Sequence, residues 1–368
     1  ESSSQDISVQ SNYALVMRFC HYNKVLLFLM AGVLPASSVL AEAELLLFPE
    51  LRFDFLQGES LADARTTPTL DLFGTARQGR FRLLGEVVVT DEDVDIERLK
   101  LGYAFSPGMT VWAGRVHNPM GNWITQYHHG NYLQTPISRP EVARFDGRGG
   151  LFPNHIIGIL IDGTHTVENH AFDFSLLAGA GPELRVGTTS ELHPVDLLDV
   201  GSGKHKLNIT GRFAYRPDSA SGNQFGLFVS HVEMPVSGFV YDTLMLTIAG
   251  VFSSWEFEAL GLNGALYRVR DEFKNGGSTD ESSFISAYVQ ADYLGIDVWT
   301  PYARLEQSFG DDNDLYVSLM NRFIPRRQVL GLRWDVTRRQ ALKLEASWNH
   351  ANSQAFGETL LNWSAVFP

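Results

Sequence analysis

Four histidines crowd one segment of the sequence: His117, His128, His129 and His155. Imidazole is the commonest transition-metal ligand, so metal chemistry is the first reading to weigh. The adjacent pair His128-His129 lacks regular ligand spacing, and the sole cysteine, Cys20, lies far from it. Imidazoles bonded to loop backbone fit this pattern better than a zinc centre, so no metal is expected. Asp91-x-Asp93-x-Asp95 imitates the start of a calcium loop, yet Ile96 stands where that loop needs glycine. No Walker loop, dinucleotide fingerprint or zinc-protease motif is present, and no cofactor is expected.

Two groups of charge remain. Arg139, Glu141, Arg144, Asp146 and Arg148 fall within 118–154, with His128 and His129 beside them. Alternation points Arg80, Arg82, Arg98, Lys100 and Arg115 to one side along three neighbouring segments. If those segments are strands, the five cations share one face and form a ladder. A wall of Arg and Lys favours anions. The competing reading is that the ladder only neutralises carboxylates on other strands, such as Glu50, Asp54, Asp335 and Glu345.

What positions these side chains is legible in the alternation. Leu99, Leu101, Tyr103 and Phe105 oppose Arg98 and Lys100; Leu207, Ile209, Phe213 and Tyr215 oppose Asn208, Thr210, Arg212 and Arg216. Leu330, Leu332, Trp334 and Val336 oppose Arg333 and Asp335, and Leu342, Leu344 and Trp348 oppose Lys343 and Glu345. Period two with charged faces means a sheet apolar on one side and wet on the other. About sixteen such segments run from 45–56 to 358–367, longer than the five or six residues usual in a soluble sandwich. Their connections alternate in length. Short turns include 78–79 and 106–108, whereas 118–154, 181–203, 270–282 and 310–326 are expected to be long loops. This alternation predicts an all-β, antiparallel up-and-down barrel across a membrane, its apolar face outward and its lumen wet.

Composition agrees. Aromatics make up 12% (24 Phe, 12 Tyr, 7 Trp), and several stand at strand ends, where membrane barrels place their girdles. A net charge of −13 argues against a nucleic-acid partner. Arg18 to Lys24 is basic, Val25–Val33 is apolar and Val39-Leu40-Ala41 is small, the layout of a secretory signal. The division expected is 1–16 as an over-extended N-terminus, 17–41 as the signal peptide and 42–368 as the barrel. Cys20 leaves with the signal, so no disulfide is expected in 42–368.

The final stretch, ETLLNWSAVFP, alternates around Trp363 and Phe367. It resembles the last strand of Gram-negative outer-membrane porins, which carries an assembly signal ending on an aromatic; Pro368 departs from that pattern. The segment 118–154 stands after the fifth strand, as does the loop that folds into sixteen-stranded porins and narrows them. GRVHNPMGNW, HHG, RPEVARFD and GGLFPNH are also similar to porin-like proteins grouped near the phosphate-selective porins. The resemblance implies an outer-membrane porin passing small hydrophilic solutes, with the barrel assembly machinery, lipid and lipopolysaccharide as partners. It makes Arg139, Glu141, Arg144, Asp146, Arg148, His128 and His129 the constriction residues. Trimeric porins latch neighbours with the loop after the third strand, and here 91–95 is very short, so a homotrimer stays open. An outer-membrane barrel enzyme of lipase or deacylase type would need a serine paired with His231 or His350, and none stands out. A sleeve for a partner protein would need a wider barrel.

Overall fold

The structure, a computed structural model, describes residues 42–57, 64–127, 130–146, 149–197, 203–310, 312–351 and 354–368. Segments 1–16 and 17–41, with His128, His129 and Arg148, lie outside the described residues.

Among the described residues, eighteen strands form the sheet. Two are three-residue pieces, β8 (Glu183–Arg185) and β9 (Glu191–His193), paired as a hairpin inside one connection. The other sixteen make one antiparallel barrel. They begin with β1 (Ala43–Leu56), β2 (Arg65–Gln78), β3 (Phe81–Thr90), β4 (Val94–Ser106), β5 (Met109–His117), β6 (His155–Val167) and β7 (His170–Ala180). Then follow β10 (Leu207–Arg216), β11 (Gln224–Ser237), β12 (Thr243–Glu256), β13 (Leu260–Asn275) and β14 (Ser278–Tyr293). The circuit ends with β15 (Trp299–Phe309), β16 (Arg326–Thr337), β17 (Gln340–Ala351) and β18 (Gln354–Ala365).

Closure comes from β1 pairing with β18, Leu51 opposite Trp363 and Phe53 opposite Leu361. Beyond β18 the backbones of Leu47 and Phe367 exchange hydrogen bonds of 2.8 and 2.9 Å. Among the described residues no barrel edge is left for another strand to pair with.

The outer wall follows the expected parity. Leu101, Phe105, Leu227, Val251, Leu305 and Leu344 are each more than half exposed, an arrangement that suits lipid and not water. Aromatic clusters mark the end that bears the short turns. Tyr103 meets Phe81 and Phe105 edge-on at 5.4 and 5.0 Å, and Trp299 stacks on Trp334 at 5.1 Å.

Two features differ from the sequence reading. The connection expected over 270–282 is a two-residue turn, Gly276-Gly277, because β13 and β14 each continue for sixteen residues. Their outward faces there carry Arg268, Arg270 and Glu281 in place of apolar residues, so the apolar alternation stops before the strands do. Gly276 has φ +55°, the left-handed geometry that a tight hairpin needs. The second difference concerns the inner wall, which is not wet all round. From β11 to β14 it presents Phe228, Leu246, Tyr267, Val269 and Phe273, all buried.

Candidate functional site

That apolar wall is covered by the described residues of the segment between β5 and β6 (118–127, 130–146 and 149–154), which lie inside the barrel. A short helix, Trp123–Gln126, puts Trp123 at 1% exposure. The Trp123 ring lies 4.9 Å from Tyr127 and 6.1 Å, edge-on, from Tyr288 of β14. Phe152 stacks on Tyr267 at 5.5 Å. Met120, Val142 and Leu151 join the same cluster, as do Tyr316 and Met320 from the 310–325 connection. One side of the loop is therefore packed as a protein core is packed.

The loop's other side is held by polar bonds to β15–β18 and β1–β2. Glu345 accepts the Ile137 and Ser138 amides at 2.9 and 3.2 Å, the Ser138 hydroxyl, and the Tyr302 hydroxyl at 2.9 Å. Arg304 donates to the carbonyls of Ser138 and Arg139 at 3.0 and 3.2 Å while its Nε meets Glu306 at 2.8 Å. Lys343 reaches the carbonyls of Asn131 and Gln134, and Arg333 those of Tyr132 and Gln134. Glu50 accepts from Asn131 at 2.7 Å, and Asp71 from the Gly130 amide at 3.0 Å. Gly130 has φ +48°, and a Cβ there would lie 2.4 Å from Phe48, so this crossing tolerates only glycine. Charges as deeply buried as Glu345, Arg304 and Lys343 are tolerable because each of these finds several partners.

The charges of the loop and the inner wall fall into three groups. Within the loop they largely compensate one another. Glu141 pairs with Arg144 at 3.2 Å and Arg327 at 3.4 Å. Burial pushes the Glu141 carboxyl up from its usual range, while the two guanidiniums pull it back. Arg139 lies 3.9 Å over the Phe145 ring and donates to the Tyr127 carbonyl at 2.8 Å. Asp146 is buried and accepts the Asn154 and His155 amides at 3.0 and 3.1 Å.

The ladder divides further. Arg98 is buried in a 2.5 Å pair with Glu86. Arg115 lies opposite Leu99, out of the row of Arg98 and Lys100, and its guanidinium meets Asp95 at 3.4 Å and the Val195 carbonyl at 3.1 Å. Arg80 occupies the exposed β2–β3 turn. Arg82 and Lys100 stay half-buried on the inner wall, Arg82 opposite Gly102 and Lys100 4.3 Å over the Trp112 ring. The carboxylates weighed as partners for this ladder are engaged elsewhere: Asp54 by Arg52 at 2.8 Å, Asp335 by Arg333 at 2.7 Å, and Glu50 and Glu345 by the loop.

A third group was visible as a wet face but not singled out. Arg212 and Arg216 of β10 continue the half-buried strip that holds Lys100, with Asp162 of β6 and Asp173 of β7. Arg216 pairs with Asp173 at 2.8 Å, Asp162 accepts from the Trp112 indole at 2.9 Å, and Arg212 lies 4.7 Å over Phe252. His231 lies on the exposed outer face, 3.2 Å from the Thr247 hydroxyl.

No family model matches the sequence, and no curated protein does. Solved structures match closely in shape. The outer-membrane channel DcaP of Acinetobacter baumannii superposes with a TM-score of 0.60 at 12% identity, over 90% of this chain and 99% of that one. OmpF of Salmonella typhi gives 0.58 at 11%, over 89% and 98%. An anion-selective porin from Comamonas acidovorans gives 0.56 at 14%, over 89% and 100%. The chain has the fold of the Gram-negative outer-membrane porins.

Proposed function

We propose that the barrel is a porin of the bacterial outer membrane, through which small hydrophilic solutes and ions diffuse passively. The observation that carries this reading is the division of the inner wall. Segment 118–154 fills the side formed by β11–β18, and the strip on β3, β4, β6, β7 and β10 keeps half-buried charges facing inward. A charged, partly exposed strip inside a lipid-facing wall is what a water path needs. Under this reading 118–154 is the constriction, and Arg139 and Arg144 bear on it through partners they already hold.

An anion-leaning selectivity goes with it. The strip holds four cations, Arg82, Lys100, Arg212 and Arg216, against three carboxylates, Asp95, Asp162 and Asp173, and Arg115 offsets Asp95. Low-dielectric walls focus that imbalance, so it outweighs the net charge spread over exposed loops. Segment 42–368 is the barrel that reaches the membrane, guided by its last strand. A homotrimer is compatible with this reading, as a trimer form is described for the Vibrio cholerae outer-membrane protein OmpT, a neighbour with a TM-score of 0.55.

Recording from the purified protein in a planar bilayer tests the proposal. Stepwise, ohmic conductance with a reversal potential displaced towards anions in a salt gradient is the expected result. Folded barrel that inserts and stays silent would refute it.

A further inference from the structure

Where 118–154 leaves the wall, three side chains converge. His117 is the last residue of β5 and His155 the first of β6, directly opposite in the ladder, their rings 4.9 Å apart. Glu97 reaches the same point from β4, its Oε2 lying 2.5 Å from Nε2 of His155. One donor atom from each of the three lies within 4.8 Å of the others, and all three residues are buried.

We propose that Glu97, His117 and His155 bind one divalent metal ion of the zinc type. This does not rest on the porin reading. Two imidazoles and a carboxylate are a donor set that zinc takes, with a fourth position left for water. Calcium and magnesium prefer oxygen ligands throughout, and neither suits a pair of imidazoles.

A separate observation points the same way. Asp146 is bonded to Nδ1 of His155 and is itself fixed by two backbone amides. A carboxylate on one nitrogen of a histidine orients the ring and makes the other nitrogen a better metal donor. Here that other nitrogen is the one aimed at Glu97. Phe145 packs against both rings, at 5.8 Å from His117 and 5.4 Å from His155, and dries the site. The surrounding charge also suits a cation. Glu97, Asp146 and Asp95 gather around His155; the cations nearby are Arg115, on Asp95, and Arg139, on the Phe145 ring. On binding, the metal takes the place of the proton between Nε2 of His155 and Glu97, and that proton goes to solvent. The ion then ties both roots of the inner loop to β4.

The test uses the folded barrel without a polyhistidine tag, stripped with chelator and dialysed against zinc, with bound metal measured by mass spectrometry. One zinc per chain is expected, with calcium not retained. His117→Gln should leave less than about a tenth of the uptake. Asp146→Asn, which keeps all three ligands, should weaken affinity roughly 10- to 100-fold. The double change His128→Ala, His129→Ala should bind as before. No stoichiometric zinc on the folded wild-type protein, unchanged uptake in His117→Gln, or loss in the double variant would each overturn the site. If a variant fails to fold, X-ray absorption of the zinc-loaded wild type decides: two imidazoles with one carboxylate support the site, and any other set refutes it.

Discussion

Glu345 of β17 accepts the backbone amide of Ile137 at 2.9 Å, across 208 residues of sequence. The bond ties the inner loop to the wall across the barrel from its roots. Arg304 donates to Ser138 beside it, and Arg327 stands 3.8 Å from the same carboxylate. Removing one charge from such a cluster leaves its partners buried without compensation, at a cost of about 3–5 kcal/mol. Glu345→Gln should therefore release the loop and spare the barrel. Faster proteolysis within 118–154, with the heat-modifiable band retained, is the expected outcome. A loop as resistant as wild type would contradict this assignment.

The opposite side of the loop is held by apolar burial, and Trp123 is its largest contributor. Truncating a fully buried tryptophan costs about 3–5 kcal/mol. Trp123→Ala should lower the unfolding midpoint of the loop and raise conductance noise. The two variants should fall short of additive, because Arg304, which bonds Ser138 beside Glu345, also lies 5.9 Å over the Trp123 ring and couples the two sides. Denaturant titration followed by tryptophan fluorescence, with a Trp-free control for position 123, would measure both.

Much of the barrel was legible because period two needs only neighbouring residues. β4, β10, β16 and β17 declared themselves by Leu, Phe or Trp opposite Arg, Lys or Glu. The ends of β13 and β14 were not legible, since Arg268 and Arg270 face out where the apolar band has stopped. The site was less legible than the fold. Parity can place Arg98 on the inner wall, but not tell that Glu86 will consume its charge at 2.5 Å. The wall partners of Glu141 and Ser138 lie more than 160 residues away, beyond any local pattern. Glu97 went unnoticed beside the histidines for the same reason, although it stands on β4, next to the strand that carries His117.

The last strand makes a prediction about assembly. Trp363 pairs with Leu51 and Phe367 with Leu47, so both residues join the seam. Deleting Trp363–Pro368 should abolish folded barrel in outer membranes, whereas removing Pro368 alone should be mild. Finding heat-modifiable barrel after the six-residue deletion would show that closure does not depend on this stretch.

Secretion predicts a mature chain beginning at Glu42. Sequencing the N-terminus of protein recovered from outer membranes decides the matter. Retention of Val25–Val33 would defeat the signal-peptide assignment.

Selectivity gives the final prediction, and the choice of residues follows from the partners each cation holds. Neutralising Arg98 would strand Glu86 in a buried pair, so a change in current would be mixed with a change in folding. Arg115 is occupied by Asp95 and Val195. Arg82, Lys100 and Arg212 are better probes, because they are half-buried and their surroundings include aromatic rings and polar groups that tolerate neutral replacements. A unit charge about 4 Å from an ion in water is worth ~1 kcal/mol, roughly fivefold in local ion concentration. Salt screens part of this, and narrow low-dielectric walls restore part. Changing all three to glutamine should therefore move the anion-to-cation permeability ratio several-fold towards cations, with the barrel still folded. Deleting 121–150 in the same background should raise conductance and shrink the effect, since widening the path puts ions farther from the strip. If the reversal potential of the triple variant matched wild type in a tenfold salt gradient, the strip would not line the path that ions take.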